Sequence, residues 1–188
     1  MARITHTRTV RDGYATVKVV TLADESGAEF EREVVDFGQS ACVLPYDPQR
    51  KVALAVRLPR APLLLAGAQT RLIEAPAGMI DAGESPADCA RREAFEEAGV
   101  ILGELERVGV CWPSPGVLAE RSHLFLAPYG KSDLRGAGGG LASEHEGVEA
   151  EELTLSELWS AQEAGRLNDL KTLTLVQALR LRRPALFD

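Results

Sequence analysis

The order of the predicted elements favours an α/β or α+β sandwich, in which helices pack against a sheet. Alternating apolar and polar residues, bounded by turn-forming residues, predict strands in the first third of the chain and again in its middle. Helical periodicity begins after Ser85 and returns near the C-terminus. With 188 residues, 45% of them hydrophobic, the chain is long enough for one globular domain with a sizeable core.

The first two predicted strands, residues 13–22 and 29–37, flank the turn Asp24-Glu25-Ser26-Gly27. An isolated hairpin is marginal in water, so this one must pack on the body of the protein or on a partner subunit. Further strands are predicted at 40–46, 51–57, 71–74, 105–112 and 121–128. Residues 61–70 and the glycine-rich segment 130–147 are predicted to be loops, and long loops of this kind are often functional.

The predicted helix after Ser85 has clear start and stop signals. Ser85 is a good N-cap, Pro86 fits the first helical position, and Gly99 is suited to end the helix. Two more helices are predicted at 156–164, ending at Gly165, and at 169–182.

Three carboxylates, Glu93, Glu96 and Glu97, share one face of this helix because each residue turns it by about 100°. Like charges at this spacing repel, and a divalent cation would remove the conflict. Carboxylate oxygens are ligands that Mg²⁺ or Mn²⁺ prefers. The alternative is a solvated acidic face, the usual fate of a charge cluster. The opposite, apolar side is expected to pack on the body of the protein through Ala87, Ala94, Phe95 and Ala98.

Composition restricts the partners. The net charge is −7 and no basic stripe is present, which argues against binding to a nucleic-acid duplex. The three cysteines form no CxxC pair, so neither a disulfide framework nor a zinc site is indicated, and a reducing cytoplasm is expected. The polar N-terminus lacks the apolar core of a signal peptide, and no apolar run reaches membrane-spanning length.

The spacing of the acidic segment resembles a known family signature. Gly78, five residues, Glu84, seven residues, then the run from Arg92 to Val100 resembles the Nudix box at every fixed position, with Ala94 where the family usually has a bulkier aliphatic residue. The resemblance implies a Nudix α/β/α sandwich with a mixed sheet over residues 38–188. Residues 1–37 resemble the small N-terminal antiparallel sheet of the sugar-nucleotide branch, whose members form homodimers through it.

The resemblance also implies a metal-dependent chemistry. Nudix enzymes hydrolyse a nucleoside diphosphate linked to another group, with Mg²⁺ neutralising the developing charge. Carried over by position, the resemblance makes Arg92 an orienting residue, and Glu84 either a metal partner through water or a residue that holds the loop. The implied metal ligands are Glu93 and Glu97, with Glu96 as a further ligand and the backbone carbonyl of Ala77 completing the shell.

The general base is expected in a late acidic loop, because the ADP-ribose branch of the family places it there. By position, Glu144 is the expected base and Glu146 a metal partner. The alternative is that both are solvated loop charges. The glycine-rich run Gly136–Gly140 just before them would permit a hinge.

Further resemblances favour a sugar nucleotide as substrate. The segment 56–60 resembles the arginine-containing strand end of ADP-ribose and GDP-mannose hydrolases, which makes Arg57 and Arg60 candidate substrate contacts, Arg60 for the diphosphate. Phe37, with Tyr14 and Trp112, is a candidate for stacking on the base. ADP-ribose would give AMP and ribose 5-phosphate, and GDP-mannose would give GMP and mannose 1-phosphate. The alternatives are a Nudix hydrolase for another nucleoside diphosphate derivative and a sensor without catalysis.

Overall fold

The computed structural model describes residues 1–69, 71–141 and 147–188. Within these ranges the chain forms a three-stranded and a six-stranded sheet, with helices on both sides of the larger one. The strands of the smaller sheet are β1 (Arg3–Arg11), β2 (Thr16–Ala23) and β3 (Glu29–Asp36). Those of the larger sheet are β4 (Gln39–Asp47), β5 (Val52–Arg57), β6 (Ala77–Met79), β7 (Glu106–Cys111), β8 (Arg121–Pro128) and β9 (Glu149–Thr154). The helices are α1 (Ala61–Leu65), α2 (Pro86–Ala98), α3 (Leu155–Glu163) and α4 (Leu170–Arg182).

The larger sheet is mixed, with the order β7-β8-β4-β5-β9 and with β6 paired to β4. Strand β4 runs parallel to β8 and antiparallel to β5 and β6. Almost every residue of β4 is buried, because the strand is covered on both faces. A strand in that position is apolar along its length rather than alternating.

Each face of this sheet carries its own core. On one face Ala41, Val43 and Val56 pack with the buried side of α2. On the other, Cys42 and Leu44 pack with α3 and α4. The predicted α/β/α sandwich with a mixed sheet and a small N-terminal antiparallel sheet is therefore confirmed.

Two local predictions were wrong, and two strands were not predicted. Strands β1 and β9 lie in segments where no strand was predicted: β1 pairs with the adjacent β2, whereas β9 gains its ladder bonds from β5, which is distant in sequence. Residues 71–74 form isolated bridges to 56 and 59 rather than a strand. The segment predicted as a loop from residue 61 contains the short helix α1.

The N-terminal sheet packs on the body of the protein through β3. The Val35 N–H donates to the Val117 carbonyl and the Ala119 N–H to the Val35 carbonyl, both at 2.9 Å. On the far edge of the sheet, β1 is exposed along its whole length, including Ile4 and Val10. No helix among the described residues is long and apolar enough to cross a membrane.

Candidate active site

Helix α2 begins and ends where its sequence signals place it. The Ser85 side chain accepts a hydrogen bond from the Asp88 N–H at 3.1 Å, which satisfies one of the donors that the first turn leaves free. Gly99 ends the helix in the left-handed region at φ 67°, a conformation that glycine adopts without steric cost. The helix is thus fixed independently of its glutamates.

The orientation of α2 differs from the expectation in one respect. Phe95 on the predicted apolar side is 45% exposed, whereas Cys89 and Ala90, one turn before Glu93 on the glutamate face, are fully buried. Glu97 is only 4% exposed. The glutamate face therefore packs against β6, which contradicts the alternative of a solvated acidic face.

Strand β6 accommodates these carboxylates because Gly78 has no side chain and the Ala77 N–H is a hydrogen-bond donor. A Cβ on Gly78 would lie 1.8 Å from Oε1 of Glu93, so a side chain there would displace the carboxylate. The Ala77 N–H donates to Oε2 of Glu97 at 3.0 Å. The box thus packs two of its glutamates directly against the backbone that follows Pro76.

Arg92 holds three of the carboxylates. Its Nη1 donates to Oε1 of Glu93 at 2.7 Å and to Oε2 of Glu96 at 3.1 Å. Its Nε and Nη2 form a fork on Glu84 at 2.9 and 3.0 Å, and Oε2 of Glu84 also accepts the Asp81 N–H. Hydrogen bonding from Arg92 lowers the pKa of Glu84 to about 2. Of the two roles left open for Glu84, these contacts match the one that holds the loop.

The donor set fits a divalent cation. In the described ranges no three acidic, histidine or cysteine side chains already converge on one point as metal ligands, and the glutamates share the Arg92 guanidinium instead. The available donors are nevertheless all hard oxygens, from Glu93, Glu96, Glu97 and the Ala77 carbonyl. Such a set suits Mg²⁺, which takes few protein ligands and keeps several waters.

A cleft of about 990 Å³ opens beside these residues. Its lining includes residues of the acidic helix and β6, together with two ion pairs, Arg60–Glu74 and Asp169–Lys171. Apolar side chains form part of its wall, namely Tyr14, Pro62, Leu63, Leu72 and Leu141. A cleft of this size, lined by carboxylates, paired cations and apolar side chains, can hold a substrate that contains a diphosphate between two larger groups.

The predicted substrate contacts are placed differently from one another. Arg60 lines the cleft and forms a fork on the buried Glu74 at 3.0 and 2.8 Å. Arg57 instead pairs with Glu151 across β5 and β9 at 2.5 Å, and it does not line this cleft. Phe37 packs edge-on against Tyr14 with ring centroids 5.8 Å apart, so Tyr14 is the aromatic residue at the cleft.

The sequence reading did not place Asp169 and Lys171 in the site. Asp169 caps α4 by accepting the Thr172 N–H at 2.9 Å, and its other oxygen accepts from Nζ of Lys171 at 2.7 Å. Burial opposes ionisation of Asp169, but attraction to Lys171 holds its pKa below the ordinary value. The sequence predicted a helix from residue 169, but only the fold shows that this helix begins beside the cleft.

Glu120 is a second missed residue. It lines the cleft just before β8 and accepts hydrogen bonds from the hydroxyls of Ser40 at 2.7 Å and Ser122 at 3.1 Å. The two candidates for the general base and its metal partner, Glu144 and Glu146, lie outside the described residues.

The fold and the cleft define a class: an α/β/α sandwich in which a strand-loop-helix unit brings carboxylates to one end of the central sheet. Residues 36–175 match the family model described as the NUDIX domain. The chain therefore belongs to the Nudix family and is a Nudix hydrolase, as the box predicted. Nudix hydrolases generally use divalent metals such as Mg²⁺.

Several relatives match most of the chain. The GDP-mannose pyrophosphatase of Pectobacterium atrosepticum is 38% identical over 147 residues, which cover 78% of this chain and 75% of the relative. The enzyme of the same description from Cronobacter sakazakii is 37% identical, covering 87% and 84%. That from Escherichia coli O1:K1 / APEC is 33% identical, covering 90% of both chains.

A solved structure supports the fold. The crystal structure of an ADP compounds hydrolase superposes with a TM-score of 0.77 over 98% of this chain and 95% of its own. The two sequences are 18% identical, so this likeness concerns the architecture alone.

Proposed function

We propose that this protein is a pyrophosphatase for nucleoside diphosphate sugars and that GDP-mannose is its preferred substrate, cleaved to GMP and mannose 1-phosphate. The observation that carries the proposal is the 33–38% identity to GDP-mannose pyrophosphatases over most of the chain. The cleft supports it, because carboxylates, paired cations and apolar side chains all line it. ADP-ribose, the other substrate that the sequence resemblance implies, is the comparison.

Glu93, Glu96 and Glu97 and the Ala77 carbonyl would hold Mg²⁺. The bound ion would neutralise charge on the pyrophosphate and lower the pKa of a coordinated water. Within the protein, Arg92 fixes the orientation of Glu93 and Glu96 by charge-assisted hydrogen bonds. Carboxylates that are already oriented can bind the ion with little reorganisation of their side chains.

Along the cleft, Arg60 and Lys171 offer positive charge to the diphosphate or its substituents. Each is held by a buried or nearly buried carboxylate, Glu74 for Arg60 and Asp169 for Lys171. These carboxylates fix the direction of the cation, so less side-chain entropy is lost when an anion binds. Arg57 and Phe37 stay predictions as substrate contacts.

Glu144 remains the proposed general base, with Glu146 as a metal partner. A general base contributes roughly 10²–10⁴-fold to the rate. Glu144→Gln should therefore lower kcat by about this factor while Mn²⁺ and substrate binding are retained, and Glu146→Gln should be milder. A larger loss in Glu146→Gln than in Glu144→Gln would transfer the role of base to Glu146.

Residues 1–37 are the proposed dimerisation region, and 38–188 the hydrolase domain, in a cytoplasmic homodimer. The support is that edge strand β1 is exposed throughout and carries Ile4 and Val10, which are 64% and 50% exposed. An exposed, partly apolar edge strand is a site for pairing with another chain. Light scattering at micromolar concentration should give the mass of a dimer, and Val10→Lys should shift it towards a monomer. A wild-type monomer with full activity would contradict this assembly.

The substrate is tested by a phosphate-release panel of GDP-mannose, ADP-ribose, ADP-glucose, NADH and 8-oxo-dGTP, with a coupled phosphatase that acts only on the new monoesters. We expect the highest kcat/KM for GDP-mannose, loss of turnover in excess chelator and its return with Mg²⁺ or Mn²⁺. A higher kcat/KM for ADP-ribose would still indicate a pyrophosphatase for nucleoside diphosphate sugars, but with ADP-ribose as the preferred substrate. No turnover of either sugar nucleotide, or full turnover after exhaustive chelation, would refute the proposal.

A further inference from the structure

Helix α2 has an unusual C-terminal end, because a distant segment completes its hydrogen bonds. A helix leaves its last four carbonyls without partners inside the helix. The turn at Gly99 and Val100 supplies N–H donors to the carbonyls of Phe95 and Ala94. That leaves the carbonyls of the two glutamates that follow, Glu96 and Glu97, in need of donors from elsewhere.

The glycine segment, defined here as Gly136–Gly140, supplies those donors. The Gly140 N–H donates to the Glu96 carbonyl and the Gly139 N–H to the Glu97 carbonyl, both at 2.9 Å. The Gly136 N–H donates to the Gly99 carbonyl, also at 2.9 Å. This segment therefore caps the same helical turn that carries two of the proposed metal ligands.

The approach of the two backbones is too close for a side chain. A Cβ on Gly138 would lie 2.6 Å from the Glu97 carbonyl oxygen, and one on Gly99 would lie 2.3 Å from the Gly136 carbonyl oxygen. Gly138 also has a φ of +64°, in the left-handed region. The glycines thus serve close packing on α2, and the hinge expected from the sequence is not the role that these contacts indicate.

Glu97 is consequently fixed at both ends. Its carboxylate accepts the Ala77 N–H from β6, and its carbonyl accepts the Gly139 N–H from the glycine segment. The side chain is almost completely buried. Any shift of the final turn of α2 would move the Glu97 carboxylate away from β6 and from the proposed metal position.

We propose that Gly138 is a positioning residue for the metal site: its missing side chain lets the glycine segment cap α2 and so hold Glu97 in the place from which it binds a divalent cation. This inference rests on the metal-binding part of the proposed function. It assigns Gly138 no contact with metal or substrate.

The test is Gly138→Ala, with Gly165→Ala as the matched control. Gly165 follows the C-cap of α3 at φ +66°, close to the φ of Gly138, but a Cβ there would meet nothing within 4 Å. Both variants place an alanine at nearly the same positive φ, but only Gly138→Ala brings a Cβ into close contact with the Glu97 backbone. Mn²⁺ affinity is measured without substrate, from the paramagnetic resonance of the free ion.

We expect Gly138→Ala to weaken Mn²⁺ binding by about 10–100-fold, the range typical when a residue that supports a metal ligand is replaced. Gly165→Ala should bind Mn²⁺ like the wild type. Equal Mn²⁺ affinities in the two variants would overturn the inference. Because Gly138 is proposed to act through Glu97, Gly138→Ala should weaken binding no further in a Glu97→Gln background, and additive losses would also count against it.

Amide hydrogen exchange in the wild type keeps the inference testable if Gly138→Ala does not fold. The amides of Gly139 and Gly140 should be protected to the same degree as the Gly99 amide at the end of α2, and exchange at the rate of an open loop would refute the cap. None of these measurements uses GDP-mannose. A wild type that binds Mn²⁺ but leaves sugar nucleotides intact would refute the proposed function and leave this inference standing.

Discussion

Two arginine-carboxylate clusters lie at opposite ends of strand β4. They differ in how many carboxylate charges share one guanidinium. Beyond the C-terminal end, Arg50 donates through Nε to Asp47 at 2.6 Å and through Nη1 and Nη2 to Glu152 at 2.6 and 2.7 Å. The Tyr129 hydroxyl also donates to Glu152. Near the N-terminal end, Arg92 is shared among three carboxylates, and a fourth, Glu97, lies on the same face of α2.

The difference separates a structural ion pair from a ligand site. One guanidinium with two carboxylates uses all its nitrogens in well-directed bonds, and such a cluster binds segments of the fold together. Where carboxylates outnumber the guanidinium more strongly, their repulsion is relieved further by an added cation. A cavity of about 650 Å³ also opens beside Arg50, but the Arg50 and Asp47 side chains in its wall are paired with each other.

Glu97→Gln is expected to have the largest effect that distinguishes the two clusters. Loss of a direct metal ligand should lower kcat by about 10²-fold or more, since metal-based charge stabilisation is worth several kcal/mol. The fold should survive, because the amide oxygen of glutamine can still accept the Ala77 N–H. Glu152→Gln in the other cluster is the control, and its turnover should stay near the wild-type value. Similar turnover in both variants would remove the distinction between the clusters.

The two arginines give a second, smaller contrast. Lysine keeps the charge but not the planar fork. Arg92→Lys should therefore lower kcat by about 10–100-fold, as expected when a residue that orients metal ligands is changed. Arg50→Lys should leave kcat nearly unchanged. Steady-state kinetics at saturating Mg²⁺ measure both, and equal losses of kcat would mean that Arg92 is no more than a structural residue.

Arg50 is expected to matter for the stability of the fold rather than for kcat. Arg50→Met leaves the nearly buried Asp47 without its guanidinium partner, so the free energy of unfolding should fall by about 1–3 kcal/mol. Urea denaturation provides the measurement, with turnover of the folded variant as the companion readout. An unchanged midpoint would show that the cluster contributes little to stability.

The smallest effect concerns pH. The pKa of Glu84 falls from 4.5 to about 2 because Arg92 donates to its carboxylate in the folded state. A lowered folded-state pKa stabilises the protein fully above about pH 4.5, and this contribution is lost as the pH falls towards 2. The stability difference between wild type and Glu84→Gln should therefore shrink over that range. Urea denaturation of both proteins across that pH range provides the measurement, and a stability difference that does not change with pH would contradict the prediction.

Local patterns were sufficient for part of the fold. Ser85, Pro86 and Gly99 located α2 because capping depends on residues near one another in the chain. The alternation in residues 13–22 and 29–37 likewise located two strands of the N-terminal sheet. Strand β9 was missed because its partner, β5, is about a hundred residues earlier, and a charged strand shows little apolar alternation.

The same division applies to the site. The box spacing alone identified the family and placed Glu93, Glu96 and Glu97 on one helix face, because helical geometry relates sequence spacing to direction. It did not reveal how deeply Glu97 is buried, nor that Lys171 and Glu120 line the cleft. Those facts depend on which distant segments the sheet brings together.

The family, the helix that carries the glutamates and the hard-oxygen character of the site could all be predicted, since each follows from residue types at fixed local spacing. Only the folded chain shows that Arg60 rather than Arg57 reaches the cleft, and that Gly136–Gly140, expected to be a hinge, caps α2. Direction along a helix is set within one turn of chain. Contact between residues far apart in sequence is set by the packing of whole elements, which no local pattern encodes.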